Sequence, residues 1–262
     1  MRHFTRFESV DGAFVLPLPM RRVEQEEGQA ARTALGRPPL VDYGIDMQGG
    51  ARVVADIAEI RHRAVLLSPE SDDELDALRA LLRRIGRGRL WLKLSDGTER
   101  WAWARATDLG SYQVASAQPI ETGITIGFVR LSDWFAATES ELVASITESP
   151  ADIVVTTSGL IPTRHVTVEI EATAADGVVN PTLENRSSVT SFTAQVASSA
   201  IGQTVTVDVL AARARRWDGQ EVTLIPGGNQ AELWRLEPGT QTVRITGVTS
   251  GILRLRWRDA YP

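Results

Sequence analysis

Leu90-Trp91-Leu92-Lys93-Leu94-Ser95-Asp96-Gly97-Thr98-Glu99-Arg100-Trp101-Ala102-Trp103-Ala104 is the stretch that decides the fold class. Large apolar residues alternate with polar or small ones on both sides of Asp96-Gly97. Alternation of period two is the signature of a strand with two different faces, and Asp-Gly between two such runs is a strong hairpin signal. Trp101 and Trp103 share one face of the second strand, and Trp91 and Lys93 share a face of the first. The expectation is an antiparallel sheet with aromatic side chains stacked across its strands.

Upstream of the hairpin lies the one clear helical pattern. Ser71-Asp72-Asp73-Glu74 has the form of a capping box, in which the Ser71 hydroxyl takes the Glu74 backbone N–H and the Glu74 side chain reaches back. Leu75, Leu78, Leu81, Leu82 and Ile85 then fall on one face at helical spacing. Asp72, Asp73 and Asp76 sit at the positive end of the macrodipole, Arg83 and Arg84 at the negative end, and Gly86 is a natural left-handed stop. A helix over 71–85 accounts for every carboxylate in that cluster, so the cluster does not read as a metal site.

Further out the reading is again β. Ala13-Phe14-Val15-Leu16 is an apolar run closed by Pro17 and Pro19. Strand patterns follow at 53–60, at Val65-Leu66-Leu67, at 112–117 and at 122–131, the last closing on Asp133-Trp134-Phe135. Residues 20–50 carry Arg21-Arg22, Glu26-Glu27, Pro38-Pro39 and Gly49-Gly50 without periodicity, which is unusual inside a compact domain. They read either as a disordered loop or as an arm with its partner on another chain, and for the arm Arg21, Arg22, Val23, Leu35, Leu40, Tyr43 and Ile45 are the candidate contacts. Beyond Glu148-Ser149-Pro150, Thr and Val dominate and the helical period disappears. Short strands around Ile153, 165–170, 205–209 and 241–245 are punctuated by Asp176-Gly177, Asn180-Pro181, Asp218-Gly219 and Pro238-Gly239. Many short strands between turn signals predict a sandwich or barrel. The expected division is a domain over 1–148 and an all-β domain over 149–262.

Composition bounds the chemistry. The 262 residues include no cysteine, which excludes disulfides, thiolate metal sites and a cysteine nucleophile. Lys93 is the only lysine and lies in a strand, and no GxxxxGK[ST] occurs, so there is no Walker A loop. His3, His62 and His165 have no metal-binding spacing, and GxSxG is absent. The reading is of a protein that is not an enzyme and uses no cofactor or metal. A formal charge of −5, from 28 basic and 33 acidic side chains, argues against a nucleic-acid-binding surface, and no apolar run reaches membrane-span length. The opening Met1-Arg2-His3-Phe4-Thr5-Arg6 carries no apolar signal core, so folding in a cytoplasm is expected. Trp217 and Trp234 are the candidate sugar-stacking or partner-contact residues. The basic runs Arg213–Arg216 and Arg254, Arg256, Arg258 read as a solvated edge or a protein interface.

Taken in order, these features resemble the distal tail protein (Dit) family of siphophages. The first domain contributes the early strand from Gly12 to Leu18, the arm before Gly49-Gly50, the helix over Ser71 to Ile85, and Gly86-x-Gly88-x-Leu90. The hairpin Leu94–Arg100 and the exit at Asp133-Trp134-Phe135, which lacks the family's proline, follow. The second domain contributes Ile161-Pro162-Thr163, Asn180-Pro181-Thr182-Leu183-Glu184-Asn185, the close of Gln203–Val209, and Trp234-Arg235-Leu236-Glu237-Pro238-Gly239, where Thr240-Gln241 replaces the usual asparagine. The resemblance implies a mainly β protein: a ring-forming, sandwich-like N-terminal domain with one helix and a long arm, then a galectin-like or carbohydrate-module-like sandwich. It implies a homohexameric ring at the distal end of a non-contractile tail. Such a ring contacts the tail tube, the end of the tape-measure protein and the hub or tip proteins, and leaves a channel through which DNA passes without specific binding. The location implied is the virion, after assembly in the host cytoplasm. A carbohydrate-binding adhesion module is the alternative.

If the helix begins at the Ser71 capping box, Ser71→Ala removes an N-cap and should lower stability by about 1 kcal/mol in denaturant unfolding. An unchanged midpoint would place the helix start elsewhere.

Overall fold

The computed structural model describes residues 3–18, 24–26, 61–67, 80–84, 86–114, 121–228 and 234–262. The chain divides into two compact units, the first holding the described residues up to Ala137 and the second those from Thr138 to Pro262.

In the first unit the strands are β1 (His3–Ser9), β2 (Val15–Pro17), β3 (Glu24–Glu26), β4 (Arg61–Leu67), β5 (Arg87–Lys93), β6 (Glu99–Val114), β7 (Glu121–Arg130) and β8 (Trp134–Ala136). They pair antiparallel in the order β2-β1-β5-β6-β7-β4-β3, with β8 joining the start of β6 at Arg100 and Trp101. The expected hairpin is β5–β6. Asp96 Oδ1 accepts from the Thr98 backbone N–H at 2.9 Å and from its hydroxyl at 2.7 Å, while Gly97 takes a φ of 88° that a Cβ would resist.

The sequence does not announce β1, yet β1 pairs along its length with β5. The reason is a register shift between Phe4 and Arg6. The bulge changes the parity of the strand, so Phe4 and Phe7, three residues apart, are both buried. Phe7 meets Phe128 at 5.1 Å between ring centroids and seats itself over Gly88. A Cβ at Gly88 would lie 2.5 Å from the Phe7 ring and from the Glu8 carbonyl oxygen.

Of the expected helix, only 80–84 falls within the described residues, and these are α-helical. Leu82 is buried, and Gly86, at φ 62°, donates its N–H to the Leu82 carbonyl at 3.1 Å, the single-bond left-handed cap. The capping box and the strand expected at 53–60 lie outside the described residues. Within the expected arm, residues 24–26 correct the irregular reading: they form an antiparallel strand on β4 of the same chain. Glu24-Gln25-Glu26 suits an edge, where charge discourages further strand pairing.

The second unit is a sandwich of two antiparallel sheets. One sheet combines β10 (Ala151–Thr157), β12 (Val178–Asn185), β13 (Thr190–Ala194), β17 (Leu224–Gly228) and β18 (Gly239–Val248) in the order β10-β18-β12-β13-β17. The other combines β9 (Ser140–Ile146), β11 (Val166–Ala172), β14 (Thr204–Asp208), β15 (Arg213–Arg216), β16 (Glu221–Val222) and β19 (Gly251–Trp257) in the order β16-β15-β14-β11-β19-β9. Both β11 and β19 alternate strictly between buried and half-buried residues. Val155, Leu183, Phe192, Val243 and Ile245 from one sheet meet Val168, Ile170, Val207, Leu253 and Leu255 from the other in a single core. The sequence places the boundary at 148. Strand pairing places β9 in this unit instead, because Ser140–Ile146 runs beside β19 over its full length, with Leu142 and Ala144 packed on the core.

A buried polar node ties the sandwich together. Asn185, fully buried, donates from Nδ2 to the Arg235 carbonyl at 2.7 Å and to Gln241 Oε1 at 2.6 Å. Gln241 in turn donates to the Glu237 carbonyl and accepts from the Glu237 N–H, at 2.7 and 2.9 Å. The two amides thus meet backbone groups that the 234–238 segment would otherwise leave without partners.

Gly88→Ala should destabilise the protein by about 1–3 kcal/mol, because the new methyl must displace either the Phe7 ring or the Glu8 backbone. Chemical denaturation checks this, and an unchanged midpoint would mean the ring yields at no cost.

Candidate interaction surface

Antiparallel register brings one face of β1, β5 and β6 together residue by residue. Glu8 stands opposite Arg89, Arg6 opposite Trp91, Trp91 opposite Trp101, Arg89 opposite Trp103, Arg87 opposite Arg105 and Lys93 opposite Glu99. The opposite face of β5 carries Gly88, Leu90 and Leu92, all buried. One face of the sheet is therefore core and the other is an array of arginine and tryptophan.

The array has a dense interior. The guanidinium of Arg6 lies 3.9 Å above the Trp91 ring and that of Arg87 lies 4.0 Å above the Trp103 ring. Trp101 meets Trp103 edge-on at 5.1 Å and meets Phe135 of β8 at 5.1 Å. Glu8 accepts from Trp91 Nε1 at 2.7 Å and from Arg89 Nη2 at 3.1 Å, and Arg6 pairs with Glu99 at 3.5 Å. Stacked cation–aromatic contacts contribute about 0.5–2 kcal/mol each, more as water is excluded. The arrangement continues beyond the available acceptors. Trp103 Nε1, Arg87 Nε and Arg89 Nε are out of solvent and have no hydrogen-bond partner among the described residues. Burial pulls the Arg87 guanidinium below its usual value.

The outer faces of the sandwich behave differently. Arg256 bridges Glu141 at 3.0 Å and Glu169 at 3.1 Å, and Arg254 meets Glu171 at 3.1 Å. Arg244 binds Asp152 through two bonds at 2.8 and 2.9 Å, holding that carboxyl below its ordinary range. The Arg254 and Arg256 run was read as a solvated edge or an interface. It lies on β19, an interior strand flanked by β11 and β9, with its charges matched across strands.

Of the two candidate tryptophans, Trp234 is 2% exposed and packs edge-on against Phe192 at 5.5 Å, so it has no face to offer a sugar. Trp217 is 40% exposed, with Arg216 at 5.2 Å from its ring. The two do not form a platform, because the β13 core claims one of them. The arm candidates Arg21, Arg22, Val23, Leu35, Leu40, Tyr43 and Ile45 lie outside the described residues. His3 and His62 lie on β1 and β4, and His165 immediately precedes β11. Among the described residues, no group of three or more His, Asp or Glu is placed to hold a metal ion. No helix among them is long and apolar enough to cross a membrane. The array on β1, β5 and β6 was only partly legible. The Trp101 and Trp103 pairing was visible, but Arg6 and Glu8 enter it through a strand whose bulge hides its period.

The architecture defines a two-unit, mainly β chain with a C-terminal sandwich. No family model and no curated protein matches the sequence. In fold the chain is similar to the crystal structure of SPP1 Dit (gp 19.1), described as a paradigm of the hub adsorption apparatus in phages infecting Gram-positive hosts. The TM-score is 0.51 at 10% identity, covering 98% of this chain and 88% of that one.

His165 gives the second unit a pH dependence. Burial, followed by the nearby charge of Arg258, lowers its pKa from 6.5 to about 4, while Asp208 opposes the shift. The unfolded chain therefore binds a proton that the folded chain refuses between those values. The histidine's contribution to stability is complete above about pH 6.5 and is lost as pH falls toward 4, at up to about 1.4 kcal/mol per pH unit. Urea unfolding across this window should show the slope, and His165→Gln should flatten it. An equal slope in the variant would assign it to carboxylates.

Proposed function

We propose that this protein is a structural component of a phage tail tip, a ring protein that joins the tail tube to the hub or tip proteins that engage the host. The observation that carries the reading is the likeness in fold to SPP1 Dit, a hub adsorption protein, which extends over 98% of the chain and so includes both the first-unit sheet and the sandwich. The order of sequence features supports the same role. In this reading six copies close a ring, the first unit builds it, and the sandwich serves as a docking platform. The end of the tape-measure protein lies against it, and DNA passes through a lumen that does not grip it. Its place is the virion, after assembly in the host cytoplasm. A closed cyclic ring uses heterologous contacts, so each copy presents two different surfaces to its neighbours. The sandwich fits docking better than sugar binding, because Trp234 is core and Arg254 and Arg256 are already paired with carboxylates.

Light scattering of the purified chain at rising concentration should reveal a six-fold mass, and negative-stain images should show rings. Deleting residues 27–48, which spares β3, should weaken assembly while leaving the folded chain. A protein that stays monomeric at every concentration, alone and with tail-tube protein, would refute the ring.

A further inference from the structure

The arginine and tryptophan array of the first unit holds more positive charge than its own carboxylates neutralise. Over the stretches paired with β5, residues 3–9 and 99–105, Arg6, Arg87, Arg89, Lys93 and Arg105 share the face with Glu8 and Glu99. Glu8 is spent on Arg89 and Trp91, and Glu99 on Arg6. Among the described residues, Arg87 and Arg105 have no carboxylate partner. Five cations against two anions leave the face at +3, in a chain whose total is −5. The remainder of each copy must therefore carry −8. One chain thus bears a compact cationic face and an acidic remainder, the charge complementarity that a head-to-tail contact between identical copies requires.

The chemistry of the face points the same way. Arg87 is pinned flat on Trp103, so little side-chain freedom remains to be lost when a carboxylate arrives. Arginine and tryptophan are the residues that concentrate binding energy at protein interfaces.

We propose that the face formed by Arg87, Arg89, Trp103 and Arg105 is the docking surface for a carboxylate-bearing surface of a second copy of this chain. The assignment rests on the ring reading and specifies one of its two contact surfaces. It also removes a basic patch from any surface open to DNA, because the neighbour covers it.

The test compares the full-length wild type with Arg87→Glu, Arg105→Glu and Trp103→Phe by sedimentation velocity at two salt concentrations, with thermal unfolding run in parallel. Trp103→Phe removes the indole donor while keeping an aromatic ring. The expected result is self-association of the wild type that weakens with salt, and association at least about tenfold weaker in both charge reversals, with the melting temperature unchanged in Arg105→Glu and lowered in Arg87→Glu, which loses the stack on Trp103. Trp103→Phe, which narrows the ring under Arg87, should weaken association less than either reversal. If the wild type assembles and all three variants assemble equally well, the face is not the contact, and the ring stands without it. If the wild type is monomeric throughout, the second-copy contact falls, and the ring falls with it if tail-tube protein also fails to assemble the chain. If it is monomeric yet its tryptophan fluorescence responds to poly-L-glutamate, the face belongs to a different acidic protein and the second-copy assignment is overturned.

Discussion

The ring of Phe7 occupies the space that Gly88 leaves empty, and the first unit depends on that fit. Strand side chains alternate, so a slip of one residue between β1 and β5 would send every side chain to the opposite face. Phe7 over Gly88, with Phe128 beyond it, allows a single register. That register turns Leu90 and Leu92 inward and leaves Arg87, Arg89 and Trp91 on the other side. The arginine and tryptophan array is thus the second consequence of a packing contact made on the core face.

The sandwich meets the same two-faced geometry with different chemistry. Its strands bury alternate residues in one shared core, and on β9, β11 and β19 the outward arginines are matched by glutamates of the neighbouring strands. Exposed pairs of this kind contribute little to stability but disfavour alternative registers, since a shift would oppose like charges. The polar load inside includes Asn185 and Gln241, where each amide meets a backbone group or the other amide. Arg244, Arg254 and Arg256 thus meet carboxylates of their own unit, whereas Arg87 and Arg105 of the first unit meet none among the described residues.

The His165 site shows how local burial gives a chain with few histidines a response to acid. Desolvation, reinforced by Arg258, keeps the imidazole neutral over a range where the unfolded chain is protonated. Nothing in the spacing of the histidines foretells this, because it depends on how much water the fold removes.

Sequence alone determined what local periodicity and turn chemistry control. The β5–β6 hairpin at Asp96-Gly97, the stop at Gly86 and the alternation of β11, β14 and β19 were all legible, because each depends on neighbours within a few residues. Tertiary structure decided the rest. It drew Ser140–Ile146 across the expected boundary, buried Trp234, and placed Arg254 and Arg256 inside a sheet, since strand partners distant in sequence set those outcomes. It also made β1 a pairing partner of β5 despite its broken period, because a bulge repairs in space a parity that the linear pattern lacks. The cationic face needed both kinds of information: its residue types are written in the chain, but their surplus over the acceptors exists only once β1, β5 and β6 lie side by side.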